Sequence, residues 1–373
     1  MKVLVTDGQY PHTLGAVRAL ARNGHQVIVG ASSRLAQCFY SRYCHAKVLY
    51  PSPQREAEFT DFLLRQVQQS PPDVLLPIGY RCTTALSKRK EEFAAHCKLP
   101  VADWPAMQVA CRKDLTFELA RKVSLPVPRQ YSAPSQVDRF PVVVKAVKDS
   151  GNLRYVNSRQ ELDGLPQEDA VIQEYIPGEG YGFYALFNHG QIRAMFMHRR
   201  LREYPITGGG STAAQSVYDE DLRQLGTRLL TELKWHGVAM VEFKKDARTG
   251  QFMLMEINPK FWGSLDLSIS CGVDFPCLAA RMALEGDVDP VMEYPLGRRF
   301  RWLLPNDTMH VLANPRAAWP FVRDFFDPNT RGNVWLRDPL PTLVQLAMTG
   351  RDVAKALAKG RLRYPQGRAR VQP

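Results

Sequence analysis

The sequence predicts a mixed α/β protein with more than one domain. The first hundred residues alternate short apolar strands with helical patterns, which is typical of a small parallel sheet covered by helices. Between Val238 and Ser264, two apolar runs joined by a polar turn indicate a β-hairpin. With 373 residues, 45% of them apolar and 10% aromatic, the chain is long enough for two or three folded domains.

The N-terminal unit begins with a strand at residues 3–5 and ends with another at 73–78. The loop from Thr6 to His12 follows the first strand, at the edge where parallel sheets bind ligands. It has no GxGxxG pattern, so a dinucleotide site is disfavoured. Residues 100–105 are bounded by prolines and are predicted to form a linker. Between the two strands, the patterns predict helices at 13–23 and 56–69 and strands at 26–30 and 47–50.

Composition excludes several classes of protein. No run approaches the roughly 20 apolar residues that cross a bilayer, and the chain starts directly with a strand instead of a cleavable signal. The seven cysteines are scattered and never at CxxC spacing, which argues against a disulfide framework and a zinc site. We therefore predict a cytoplasmic protein with reduced thiols.

The net charge of +12 is unevenly distributed. Residues 351–373 contain seven lysines and arginines against Asp352 alone, so this tail carries +6. Such a tail is suited to an anionic membrane surface or to nucleic acid. Its single aromatic residue, Tyr364, disfavours nucleic acid, which is usually bound with stacking side chains. A solvated terminus and peripheral membrane contact both stay open.

Two lysines differ in what their surroundings predict. The pattern predicts a helix from about Ala106 to Ser124 with Lys113 near its middle, and by itself such a lysine is usually solvated. Lys145 interrupts the apolar strand at residues 140–147, and a cation inside a central strand needs an anion.

A strand at residues 171–176 runs into a turn at Pro177 and Gly178. As an edge strand it would offer backbone N–H and C=O groups, which can pair with the edge of an adenine ring. Further along, three arginines at 199, 200 and 202 precede three glycines at 208–210. Glycines let the backbone approach an anion, and arginines can neutralise it. We select Arg199 and Arg202 as the residues that contact this anion, although their odd spacing would place them on opposite faces of a continuous strand. The alternative is that the arginines lie on a solvated strand and the glycines in a surface loop.

The hairpin within residues 238–257 carries carboxylates in both strands. Side chains alternate along a strand, so Glu256 and Asn258 share one face, and a suitable register brings Glu242 onto it. Hard oxygen ligands of this kind suit Mg²⁺ or Mn²⁺. The alternative is that Glu242 and Glu256 point to solvent from a two-stranded ribbon.

The order of these motifs resembles that of the ATP-grasp superfamily over roughly residues 1–290. The resemblance implies an N-terminal parallel α/β domain at 1–105 and a two-lobed α+β ATP-grasp domain at 106–290, with lobes 106–180 and 181–290. A small C-terminal capping region with the basic tail would occupy 291–373. The segment HRRLREYPITGGGST, residues 198–212, is similar to one in a branch of uncharacterised ATP-grasp ligases.

The resemblance also implies that the loop at residues 149–152 covers the phosphates of ATP, and it implies roles for individual residues. The phosphates of ATP would contact Lys113 and Lys145, and the adenine and ribose would contact Gln173, Glu174, Tyr175, Ile176 and Glu179. The ligands of Mg²⁺ or Mn²⁺ would be Glu242, Glu256 and Asn258. The reacting groups would contact Arg199, Arg202 and Lys260. Lys260 stands where the family usually has arginine, and an ammonium group is a point charge that cannot bind a carboxylate as a fork.

The resemblance implies an enzyme that activates a carboxylate as an acyl-phosphate and joins it to an amine, with ADP and phosphate as products. Its partners would be small carboxylates and amines, and a homodimer is a reasonable expectation. The sequence contains no Ser/His/Asp or Cys/His pattern that indicates a side-chain nucleophile. Two alternatives stay open: an ATP-dependent carboxylase or other phosphoryl-transfer variant, and a non-catalytic ATP-binding factor with a basic anion-binding tail.

Overall fold

The computed structural model describes residues 1–146, 153–165, 170–358 and 368–370. The N-terminal unit is a four-stranded parallel sheet of order β3-β2-β1-β4, and this confirms the predicted α/β fold. Its elements are β1 (Lys2–Val5), α1 (Pro11–Arg22), β2 (Gln26–Ala31), β3 (Ala46–Leu49), α2 (Glu56–Gln69), β4 (Val74–Leu76), α3 (Tyr80–Lys88) and α4 (Lys90–Ala94).

Two helices follow where the sequence predicts one. They are α5 (Trp104–Cys111) and α6 (Lys113–Lys122), and the chain breaks between them at Arg112, whose backbone is extended with φ −112° and ψ 116°. The guanidinium of Arg112 forms an ion pair with Asp114 at 2.5 Å. The prediction of a continuous helix is therefore wrong, and Lys113 is the first residue of α6 instead of lying mid-helix.

A small antiparallel sheet of order β5-β8-β6-β7 comes next. It consists of β5 (Gln130–Tyr131), β6 (Val142–Ala146), β7 (Leu153–Val156) and β8 (Ala170–Glu174), with the short helix α7 (Arg159–Asp163). β8 lies between β5 and β6, so it is not the edge strand that we expected. The predicted phosphate-covering loop, residues 149–152, lies outside the described residues.

The largest sheet has seven strands, in the order β13-β12-β9-β10-β11-β14-β15, and the predicted hairpin forms its strands β12 and β13. Its strands are β9 (Gly178–Asn188), β10 (Gln191–Tyr204), β11 (Gly210–Ser216), β12 (Gly237–Asp246), β13 (Phe252–Asn258), β14 (Arg299–Arg301) and β15 (Thr330–Gly332). The helices that accompany it are α8 (Glu220–Glu232), α9 (Leu265–Ser270) and α10 (Phe275–Glu285). A shared core joins one face of this sheet to the N-terminal unit through residues such as Val29, Phe196 and Phe275.

The C-terminal region contributes β14 and β15 to the large sheet and adds α11 (Thr308–Ala313), α12 (Ala318–Arg323) and α13 (Pro339–Ala358). Asp338, just before α13, accepts hydrogen bonds from Arg18 at 2.9 Å and from Ser41 at 2.7 Å, which fixes this region to the N-terminal unit. The backbone N–H of Arg370 donates to Asn157 at 2.6 Å, so the chain returns to the small sheet. Among the described residues, no helix is long and apolar enough to cross a membrane.

Candidate functional site

A cavity of about 430 Å³ lies between the small sheet and the large sheet. Strands β6 and β8 supply one wall, and β9, β10, β12 and β13 supply the other. Most residues that the sequence selects line this cavity: Lys113, Lys145, Gln173, Glu174, Tyr175, Ile176, Glu242, Glu256, Asn258 and Lys260. Side chains separated by up to 147 positions in sequence therefore meet in one place.

The carboxylates of the hairpin face each other across the strand pair. Glu242 on β12 is directly opposite Glu256 on β13, and Asn258 follows on the same face of β13. Asn258 Nδ2 donates to Glu256 Oε1 at 2.9 Å, which leaves the amide oxygen of Asn258 as its ligand atom. The predicted register of the hairpin is confirmed.

Cations surround this carboxylate pair. Lys113 Nζ lies 3.5 Å from Glu256 Oε2, and Arg200 Nη2 lies 2.7 Å from Glu242 Oε2. Burial by itself would raise the pKa of Glu256, but the nearby Lys113 and Lys145 outweigh it and lower that pKa. Since the lysines and arginine outnumber the two carboxylates, the cavity is suited to a polyanion.

Burial has the opposite effect on two of these cations. It lowers the pKa of Lys145, and the attraction of Glu256 and Glu242 only partly offsets it. The pKa of Lys260 is lowered by burial in the same way, partly offset by Glu256, Glu242 and Asp7. An incoming anion would restore the preference of both lysines for the charged form.

The oxygen ligands fit Mg²⁺ or Mn²⁺ only in part. The described residues contain no group of three or more His, Cys, Asp or Glu side chains arranged for a metal ion. Glu242, Glu256 and Asn258 nevertheless present two carboxylates and an amide oxygen to one cavity. Mg²⁺ is commonly held by one or two carboxylates together with substrate phosphates, so this set fits an ion that arrives with a nucleotide.

The segment after β8 forms the far wall of the cavity. Gln173 is buried, and neither its side-chain oxygen nor its nitrogen has a hydrogen-bond partner among the described residues. Lys244 Nζ donates to the Ile176 carbonyl at 3.0 Å and lies 5.3 Å from the centre of the Tyr175 ring. Buried amide groups are rarely left without partners, so Gln173 indicates that a polar ligand completes this wall.

Three predicted residues lie outside the cavity. Arg199 points away from it and donates to Gln215, while Glu179 lies 3.7 Å from Arg199 on the outer side. Arg202 is buried elsewhere, where it pairs with Asp307 at 2.8 Å. The selection of Arg199 and Arg202 is therefore corrected, and Glu179 does not line the cavity either.

Arg200, which the sequence analysis did not select, lines the cavity in place of Arg199 and Arg202. It shares a strand face with His198, two residues earlier, and a register shift after Arg200 turns Arg202 elsewhere. Arg200 contacts Glu242, Glu203 at 3.5 Å and the Gly209 carbonyl at 2.9 Å. Lys244 was also missed, although it follows Glu242 by two residues and so shares its face of β12.

A buried polar network supports the cavity floor. His198 Nε2 lies 2.7 Å from Ser264 Oγ and also hydrogen-bonds to the Tyr184 hydroxyl. Burial, together with Arg200, lowers the pKa of His198 to about 3, so the imidazole is neutral at physiological pH. Its Nε2 atom contacts the hydroxyls of Tyr184 and Ser264, both of which line the cavity.

The loop after β1 reaches the same region. Asp7 has a left-handed backbone with φ 63°, and its carboxylate accepts the N–H of Gly79 at 2.7 Å. His12, in the first turn of α1, lies near Lys260, and burial and this lysine lower its pKa to about 3. The charge of Asp7 also acts on Lys260, so the segment after β1 lies next to the end of the cavity at which Lys260 stands.

We expect Arg200→Lys to reduce turnover by about 100-fold, because a lysine cannot contact Glu242 and an anionic ligand with a planar fork. Thermal unfolding should change little, since one positive charge is retained. The measurement is nucleoside triphosphate hydrolysis or transfer at saturating substrate. Arg199→Lys is the matched control on the other strand face, and equal losses in the two variants would contradict the assignment.

Comparisons with known proteins agree with this geometry. Residues 166–304 match the model of a family described as "ATP-grasp in the biosynthetic pathway with Ter operon". The chain is 22% identical to a D-aspartate ligase of Enterococcus faecium, over 61% of this chain and 63% of that enzyme, so it spans less than two thirds of this relative's length.

Solved structures share the fold. Biotin carboxylase from Campylobacter jejuni superposes with a TM-score of 0.64 at 14% identity, covering 80% of this chain and 74% of that one. L-amino acid ligase from Bacillus licheniformis superposes with a TM-score of 0.60 at 17% identity, covering 78% and 77%. At these identities the superpositions establish a common fold.

Proposed function

The chain belongs to the ATP-grasp superfamily, and we propose that it is an ATP-dependent ligase that activates a carboxylate as an acyl-phosphate and joins it to an amine. The observation that carries this proposal is the pairing of Glu242 with Glu256 inside a ring of cations. Such an arrangement is suited to the phosphates and metal ion of a nucleotide.

We assign the nucleotide to the cavity between the sheets. Lys113 and Lys145 would contact its phosphates, and the unpartnered amide of Gln173 would hydrogen-bond to its base. Glu174, Tyr175 and Ile176 line the same wall. Glu242, Glu256 and Asn258 would hold Mg²⁺ or Mn²⁺, which when bound neutralises charge on the phosphate oxygens.

The carboxylate substrate belongs at the end of the cavity near Arg200 and Lys260. Arg200 pairs with Glu242, and the charges of Glu256 and Glu242 act on Lys260, so both cations lie close to the carboxylate pair. Together they would orient a carboxylate toward the terminal phosphate of ATP. A carboxylate oxygen then bonds to that phosphorus as ADP leaves. In the second step the amine bonds to the acyl carbon, phosphate departs with the oxygen, and the amine loses a proton.

Amino acids are the substrate class with most support. A sequence relative is a D-aspartate ligase, and a structural neighbour is an L-amino acid ligase. An amino acid offers both a carboxylate for Arg200 and Lys260 and an ammonium group for an acid. We assign the ammonium group to Asp7, whose charge acts on Lys260 and which is not part of the Glu242–Glu256 pair.

The test is an ADP-release assay with the purified chain and MgATP, crossing a panel of amino acids and other small carboxylates with a panel of amines, followed by mass analysis of the products. ADP release that requires both a carboxylate and an amine, with an amide product, supports the ligase. Release that requires bicarbonate instead favours the carboxylase alternative. ATP binding without ADP release across the panel favours the non-catalytic ATP-binding factor.

We expect Lys260→Arg to extend activity toward alkaline pH. Because burial lowers the pKa of Lys260, this lysine loses its charge at a lower pH than an exposed lysine, and the KM for the carboxylate should rise as pH passes that pKa. Arginine stays protonated throughout this range. The measurement is the KM for the carboxylate against pH.

The exposed Lys88, which pairs with Glu56 at 2.8 Å, provides the matched control, and Lys88→Arg should keep the wild-type profile. The KM for ATP should retain its own alkaline limit in both variants, since Lys145 is unchanged. An identical rise in the carboxylate KM in wild type and Lys260→Arg would remove Lys260 from the carboxylate site.

A further inference from the structure

Helix α13 turns its apolar face toward solvent, the opposite of an ordinary surface helix. Amphipathic helices of globular proteins normally turn their apolar stripe toward the core. Here the buried positions are Pro341, Gln345 and Thr349, spaced four residues apart. Gln345 is 2% exposed and donates to the side chain of Gln37 in the N-terminal unit, while Thr349 is 4% exposed. Two of the three residues that are buried among those described in α13 are therefore polar.

The opposite face of α13 is apolar and exposed. Leu340, Leu343, Leu346 and Leu357 have relative exposures of 54%, 58%, 55% and 60%. Ala347, Gly350 and Ala354 are exposed as well. At about 100° per residue, all seven fall within an arc of roughly 120°. We call this set of seven residues the outer stripe; it contains no polar side chain.

Positive charge borders the outer stripe. Arg351 and Lys355 are exposed and lie next to its edge, at about 20° and 60° beyond Leu340 on the helical projection. Residues 351–373 carry a net charge of +6, and the whole chain carries +12. Lysine and arginine at the margin of an apolar face can keep their charged ends among phosphates while their methylene groups lie on apolar surface.

From this arrangement we propose that α13 lies flat on an anionic lipid surface, with the outer stripe in the acyl boundary and Arg351 and Lys355 at the headgroups. A helix with a leucine face and flanking cations is the form that interfacial helices take. Charge favours this occupant over a second copy of the chain, because self-pairing would cover the leucines but bring two strongly positive molecules together. The polar inner face keeps the rest of the protein attached.

The proposal is tested by sedimentation of the full chain with vesicles of phosphatidylcholine, alone or mixed with phosphatidylglycerol. We expect binding to the anionic vesicles, weakening as salt is raised, and little binding to phosphatidylcholine alone. The double variant Leu343→Gln, Leu346→Gln should lower partitioning by about tenfold or more, since two leucines no longer enter the acyl region. Arg351→Gln with Lys355→Gln should weaken binding and reduce its salt dependence.

Leu35→Gln is the matched control, because Leu35 is 73% exposed on the N-terminal unit and the change leaves the charge unaltered. This variant should bind like wild type, and all variants should unfold at the wild-type temperature. Equal binding of wild type and the double leucine variant would overturn the proposal, as would failure of the wild type to bind anionic vesicles. A wild-type dimer that becomes monomeric in the leucine variant would overturn it in favour of self-association.

Discussion

Glu256→Gln is expected to abolish most ATP turnover, with a loss on the order of 10²–10³-fold in ADP formation. Glu256 lies opposite Glu242, accepts a hydrogen bond from Asn258 and faces Lys113 at 3.5 Å. The amide keeps the size of the side chain but removes the charge that a metal ion requires. It also removes the attraction that raises the pKa of the buried Lys145. The measurement is ADP release with MgATP over a titration of Mg²⁺.

The control for this substitution is Glu232→Gln. Glu232 is an exposed residue of α8 that pairs with Lys122 at 2.8 Å, outside the cavity. We expect wild-type turnover and an unchanged Mg²⁺ requirement for this variant. Wild-type ADP formation by Glu256→Gln at the wild-type Mg²⁺ concentration would mean that the hairpin does not hold the metal.

The residues that could be predicted from sequence are charged side chains inside apolar strands. Lys145 and Glu256 interrupt β6 and β13, where an isolated charge is costly unless a counter-charge or ligand is present. Strand alternation then places Asn258 beside Glu256 without reference to any other element. Local rules suffice for Glu256 because Asn258 lies on the same strand and Glu242 on the other strand of one hairpin. Lys145 is recognised from its position in an apolar strand, although its partners lie in another sheet.

The choice among Arg199, Arg200 and Arg202 needed information from distant residues. The partner of Arg200 is Glu242, which lies 42 positions later on β12, with β9 between the two strands. Three arginines within four positions give no sign of which strand face meets that carboxylate, and the register shift after Arg200 depends on pairing with β11. Likewise, β14 and β15 have three residues each, too few to show a period.

Arg202→Met is expected to cost stability instead of catalysis, with a loss of about 3–5 kcal/mol in the free energy of unfolding. The guanidinium forms a fork on Asp307, with both contacts at 2.8 Å, and a third contact with Asp324 at 2.6 Å. Arg202 is 8% exposed, Asp307 is fully buried and Asp324 is 6% exposed. Methionine would leave two buried carboxylates without their shared cation, and denaturant unfolding measures the result.

Arg199→Met separates this effect from a general loss of positive charge on β10. Arg199 is 37% exposed at its side chain and lies 3.7 Å from Glu179, so its removal should leave the unfolding midpoint unchanged. Arg202 connects β10 to the C-terminal region through its ion pairs and does not line the cavity. At a temperature where Arg202→Met stays folded, its ADP formation per folded molecule should therefore equal that of wild type. A variant with wild-type stability and lost turnover would instead place Arg202 among the residues that contact the substrate.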